Sequence, residues 1–179
     1  TNTSEDPSNS AQLAWSFSDG NAGTQGSGGA LSATGSTTVT ITPVNDLPTL
    51  TNLGGDSINF SIGGSGVALD ASGNATLADV DSANLSGGNL TVAITANGQA
   101  GEDVLQLGSG GAISVSGSNI DHSDGVTIGT VAGGTGGANL VVTLNANATV
   151  VRVQDLVRAL QYSNSDTGTV NTTARTVRI

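Results

Sequence analysis

The chain contains no cysteine and no methionine, and its four basic residues are all arginine, so lysine is absent as well. Without cysteine there are no disulfides and no thiolate metal sites, and a single histidine, His122, excludes the usual zinc clusters. Without lysine there is no Lys–Asn isopeptide cross-link and no P-loop lysine. Aromatic residues are as scarce: Trp15, Phe17, Phe60 and Tyr162 are all there are. The core must therefore come from Val, Ile, Leu and Ala, in layers thin enough for small side chains to fill. No run approaches eighteen apolar residues and no charged segment leads into an apolar one, so neither a spanning helix nor a secretion signal is expected within the chain. It begins at Thr1 without an initiator Met and stops inside a strand-like pattern, which suggests a processed piece or a window on a longer protein.

What is abundant points the same way. Glycine is 27 of 179 residues, about twice the ~7% average, and Ser, Thr, Asn, Ala and Val fill most of the rest. Such a chain is strand and turn, and a two-sheet sandwich suits it. Fourteen carboxylates against four arginines give a net charge of -10. That balance repels nucleic acid and anionic membranes and attracts divalent cations, with calcium the natural candidate.

Apolar residues alternate with polar ones at Leu13, Trp15, Phe17; Val39, Ile41; Ile58, Phe60, Ile62; Leu90, Val92, Ile94; and Leu140, Val142, Leu144. Less regular groups at 104–107, 113–115 and 126–131 read as further short strands, with Val177 and Ile179 in the last. Glycine-rich turns at 20–29, 63–66, 108–111 and 133–137 separate them. A phosphate loop would need a helix after it, and strand or further loop follows here. One helix breaks the pattern near 150–161: Val153, Leu156, Val157 and Leu160 fall at helical spacing, with Thr149 as N-cap and Asn164 as a stop. It is expected to cross from one sheet to the other, with Arg152 and Arg158 outside, paired with carboxylates.

Residues 1–17 and 163–179 are two copies of one passage. Asn2-Thr3-Ser4 aligns with Asn164-Ser165-Asp166 and Leu13-Ala14-Trp15 with Val177-Arg178-Ile179, with one two-residue gap between. A period near 160 residues means whole domains in tandem or subunits that interlock. The segment Thr42-Pro43-Val44-Asn45-Asp46-Leu47-Pro48 reads as a stiff connector. Residues 1–45 are then the closing strands of one repeat, and 46–179 the opening and central part of the next, with 43–48 between.

Carboxylates cluster at Asp46, at Asp79-Val80-Asp81, at Glu102-Asp103, at Asp19, and around His122 in Asp121-His122-Ser123-Asp124. Asp-x-Asp spacing on an extended loop lets two carboxylates point at one hard cation, which takes six to eight oxygens. The stretch from Asp79 to Asn84 lacks the glycine and distal glutamate of an EF-hand. The alternative is a set of solvated turn carboxylates, with Asn45 and Asp46 simply capping a turn. Around His122 the residues are adjacent in sequence, whereas a catalytic triad converges from separate elements, so a polar turn is expected and no enzyme. Seven Asn-x-Ser/Thr sequons, at Asn2, Asn59, Asn74, Asn84, Asn89, Asn147 and Asn171, reflect composition.

Taken together, Val44-Asn45-Asp46-Leu47-Pro48, Asp79-Val80-Asp81-Ser82 with Asn84, Glu102-Asp103, the run from Leu144 to Ser165 and the stretch "GALSATGSTTVTITPVND" resemble the cadherin-like repeats of very large bacterial surface and secreted proteins. The resemblance covers essentially the whole chain. It implies an all-β, Ig-like or cadherin-like sandwich strung into rods, an extracellular or cell-surface location, and a role in adhesion or biofilm matrix. It also implies calcium at domain junctions: Asn45 and Asp46 as junction ligands, Asp79 and Asp81 as a loop pair, Glu102 and Asp103 as pole ligands. The connector reads Asn-Asp-Leu-Pro where cadherins have Asp-x-Asn-Asp-Asn-x-Pro.

Two structural arrangements follow. In one, Leu13, Trp15, Phe17, Val39 and Ile41 complete the sandwich of another copy by strand addition, giving a head-to-tail filament. In the other, the same contacts lie along one continuous polypeptide, which the duplicated passage favours. The rival function is a calcium-dependent ligand- or glycan-binding module, against which the scarcity of aromatics for sugar stacking argues.

Overall fold

The computed structural model describes residues 7–21, 26–166, 168 and 171–179. The first residues of the N-terminal repeat copy, with the sequon at Asn2, and part of the glycine-rich turn at 20–29 lie outside them. The chain divides into two compact units, Thr1–Asp46 and Leu47–Ile179.

The first unit is a hairpin. β1 (Ser10–Ser18) pairs antiparallel with β2 (Ser32–Thr40) from Ser10 opposite Thr40 to Ser18 opposite Ser32. Alternation sets its two faces: Leu13, Trp15 and Phe17 project on one side with Val39. Trp15 stands opposite Gly35, and a Cβ on Gly35 would collide with the indole ring. Glycine in mid-strand is therefore what lets the ring lie flat across the ribbon.

The second unit is an all-β sandwich with one helix. Its strands are β3 (Thr49–Thr51), β4 (Val67–Ala68), β5 (Thr76–Ala78), β6 (Asn89–Ala96), β7 (Asp103–Leu107), β8 (Ile113–Ser116), β9 (Asn119–His122), β10 (Thr127–Gly133), β11 (Leu140–Leu144), β12 (Leu160–Asn164) and β13 (Thr176–Arg178). One sheet runs β13-β6-β11-β10-β9-β8, a second β4-β12-β7, and β3 pairs with β5. The helix α1 (Val150–Arg158) carries the chain from β11 in the larger sheet to β12 in the smaller one, so it is the expected crossover. Thr149 caps it, its hydroxyl accepting the Arg152 N–H. The helix stops earlier than its apolar spacing predicts, because Leu160 already opens β12.

The core is aliphatic. Ile113, Ile120, Ile128 and Val142 pack with Val153 and Leu156 of the helix, while Val92 and Leu140 of one sheet meet Leu105 and Leu160 of the other. Among the described residues one aromatic pair meets, Phe60 and Tyr162, edge to face at 5.4 Å. One expected strand is absent. Ile58, Phe60 and Ile62 keep a strand's alternation, but residues 57–61 enter no ladder among the described residues. A strand needs a neighbouring backbone to pair with as well as a pattern, and no described residue forms a ladder with this one.

Candidate functional site

Two apolar surfaces lie open. On the hairpin, Leu13, Trp15, Phe17 and Val39 are 54, 53, 69 and 44% exposed. Ile41, just past β2, is half-buried, its N–H bonded to the Asn9 carbonyl. Four large apolar side chains on one face of a two-stranded ribbon are unusual, because such a ribbon has no core of its own to bury them. In the second unit a groove of about 730 Å³ is lined by Leu50, Ile58, Phe60, Leu69, Val177 and Ile179 together with polar side chains that include Asp56, Arg175 and Arg178.

The carboxylates fall into four settings. Asp79 and Asp81 follow β5 in a tight Asx turn: an Asp79 Oδ1 accepts the N–H groups of Ser82 at 2.9 Å and Asp81 at 3.3 Å. Desolvation pushes the Asp79 carboxyl up, but the bonds from Ser82 and Asp81 outweigh it and hold it below the ordinary range. In the connector, the Asn45 amide donates to the Asp46 carbonyl at 3.0 Å. Around His122, Nδ1 lies 3.0 Å from Asp124 and Nε2 3.2 Å from Asp155, while Arg152 reaches Asp124 through Nε and Nη2 at 2.9 and 2.7 Å. Both imidazole nitrogens thus face carboxylates and neither faces a hydroxyl, which suits a tie between the β9 turn and α1. The Arg152 hydrogen bonds hold the Asp124 carboxyl low.

Glu102 and Asp103 are placed otherwise than the resemblance implies. Asp103, the first residue of β7, is buried, and its carboxylate is occupied. Tyr162 donates to Oδ1 at 2.6 Å, the Gln99 N–H to Oδ2 at 2.6 Å, and Arg175 Nε to both oxygens at 3.1 and 3.2 Å. Arg175 Nη2 also lies 3.4 Å from Glu102, and Nη1 donates to the Asn171 and Thr173 carbonyls. Burial pushes the Asp103 carboxyl up, yet the Tyr162, Gln99 and Arg175 bonds outweigh it and hold the group below its usual range. Burial and the Asp103 hydrogen bond raise Tyr162. A guanidinium between Glu102 and Asp103 fills the place of a cation there, so this pair does not fit calcium. Among the described residues no three His, Cys, Asp or Glu side chains group as a metal site.

Sequence reasoning did not single out Arg175. Its one signal was scarcity, as one of four bases in an acidic chain placed just before a strand. Among the described residues no helix is long and apolar enough to cross a membrane. No family model, curated protein or solved structure matches the chain.

Proposed function

We propose that this chain is a structural, non-enzymatic repeat of an extracellular rod or head-to-tail filament, in which each sandwich is completed by strands of an adjacent repeat. The observation that carries the reading is the hairpin of Thr1–Asp46, whose one face exposes Leu13, Trp15, Phe17 and Val39. A ribbon of two strands is marginal in water, so this one is built to be covered. The passage shared by residues 1–17 and 163–179 supports a head-to-tail order, since it lets the strand that ends one chain be read as the strand that begins the next.

Calcium enters this reading through Asn45, Asp46, Asp79 and Asp81, where a hard cation bound by carboxylate and carbonyl oxygens would stiffen a loop or junction. The adhesive or matrix setting and the cell-surface location rest on the family resemblance.

The test is a tandem chain joined at equivalent positions, with Ser16 of a second copy following Ile179 of the first. The expected result is an elongated particle by small-angle scattering and a higher unfolding midpoint than the single chain. A tandem that is neither longer nor more stable overturns the reading.

A further inference from the structure

The groove in Leu47–Ile179 lies between one strand edge and a segment outside any ladder, neither with a further strand beside it among the described residues. On one side is β13, which ends its sheet and, among the described residues, pairs only with β6. On the other are residues 57–61, alternating in exposure and outside any ladder among the described residues. Backbone outside any ladder on both sides of a partly apolar groove is the shape left by a missing strand.

The repetition within the chain says which strand is missing. Val177 and Ile179 of β13 align with Leu13 and Trp15 of β1. Val177 and Ile179 pack against the core, which makes the open face of the hairpin its core-seeking face. In β1 the strand alongside is β2, with Leu13 opposite Thr37. We propose that the groove is the docking site for the hairpin of a second copy of this chain. Neighbouring β1 takes the place of β13 beside β6, and neighbouring β2 fills the slot against residues 57–61. The proposal rests on the rod reading above and names its joint.

The exchange replaces a three-residue strand with one of nine residues and brings Trp15 and Phe17 into the groove. Neither hairpin strand carries a charged residue, so no side-chain charge on the incoming strands is stripped of water. The Arg175 clasp opposes it. Carrying the alignment back two residues sets Arg175 against Ala11, so an incoming β1 brings no guanidinium for Asp103. Arg175 thereby distinguishes the chain's own closing strand from that of a neighbour.

Trp15 is the sole tryptophan, so its emission reports on the hairpin directly. In the full chain, emission is expected to shift to the blue as concentration rises, in step with the mass from light scattering. Trp15→Asp and Ile62→Asp should each remain monomeric. Mixed in equal amounts they should form a dimer and nothing larger, because one intact hairpin then meets one intact groove. Phe17→Asp should behave as Trp15→Asp, which guards against a folding defect particular to position 15. A wild-type chain that stays monomeric at every concentration, whether Trp15 is wet or buried, overturns the proposal, and so does a mixture that does not associate. If the single chain is monomeric while the tandem is elongated and stabilised, the joint between separate copies fails and the rod reading stands. If neither result appears, both fall.

Discussion

Arg175 Nε sits 3.1 and 3.2 Å from the two carboxylate oxygens of Asp103, and so fastens the approach to β13, at the edge of the larger sheet, to β7 in the smaller one. Both side chains are nearly out of water, at 9 and 2% exposure. Removing one member leaves the other buried without its counter-charge, a loss of about 3–5 kcal/mol. Arg175→Met is expected to lower unfolding stability by that order in urea, measured by circular dichroism. A change under about 1 kcal/mol would mean that the clasp is solvated and weak.

The same pair sets a pH dependence. Asp103 in the folded chain titrates below its ordinary range, whereas the unfolded carboxyl titrates near ~3.9. A depressed carboxyl stabilises the fold above the unfolded value, and that contribution is lost as pH falls toward the folded one. Stability should therefore decline as the solution is acidified from about pH 5. In Asp103→Asn this part of the decline should be missing, as read from unfolding midpoints across the acid range.

The helix offers a test of packing against capping. Leu156 is fully buried among Ile113, Ile128 and Val142, and Leu156→Ala should destabilise the second unit by about 2–5 kcal/mol. Thr149→Ala removes one cap bond, for a loss of about 1 kcal/mol. Equal effects in urea titrations would contradict the view that burial, more than end effects, holds the crossover in place.

Calcium is expected to raise the melting midpoint and a chelator to reverse it, because an ion bound only by the folded state stabilises it by mass action. Asp79→Asn with Asp81→Asn should reduce the response, adding Asp46→Asn should abolish it, and Glu102→Gln should leave it unchanged, since Glu102 lies beside Arg175. No response in the wild type would remove calcium from the proposed function.

Much of the architecture was legible in the residue order. Alternation at Leu90, Val92, Ile94 and at Leu140, Val142, Leu144 marked β6 and β11, because period two reports directly which side of a strand is dry. Thr149 marked the start of the helix, since an N-cap hydroxyl serves N–H groups only a few residues away. The expected strand at Ile58, Phe60 and Ile62 did not form, because alternation says nothing of whether another backbone lies alongside.

Composition and pattern by themselves determined that this protein is a small-residue β-sandwich with one crossover helix and a duplicated closing passage. These features follow from local periodicity and from side-chain volume, which any stretch of chain carries within itself. Tertiary structure decided the rest: that Arg175 reaches Asp103 across 72 positions, and that β13 and residues 57–61 flank one groove. Such contacts depend on how sheets stack and which edges go unpaired, and distance along the chain holds no record of either.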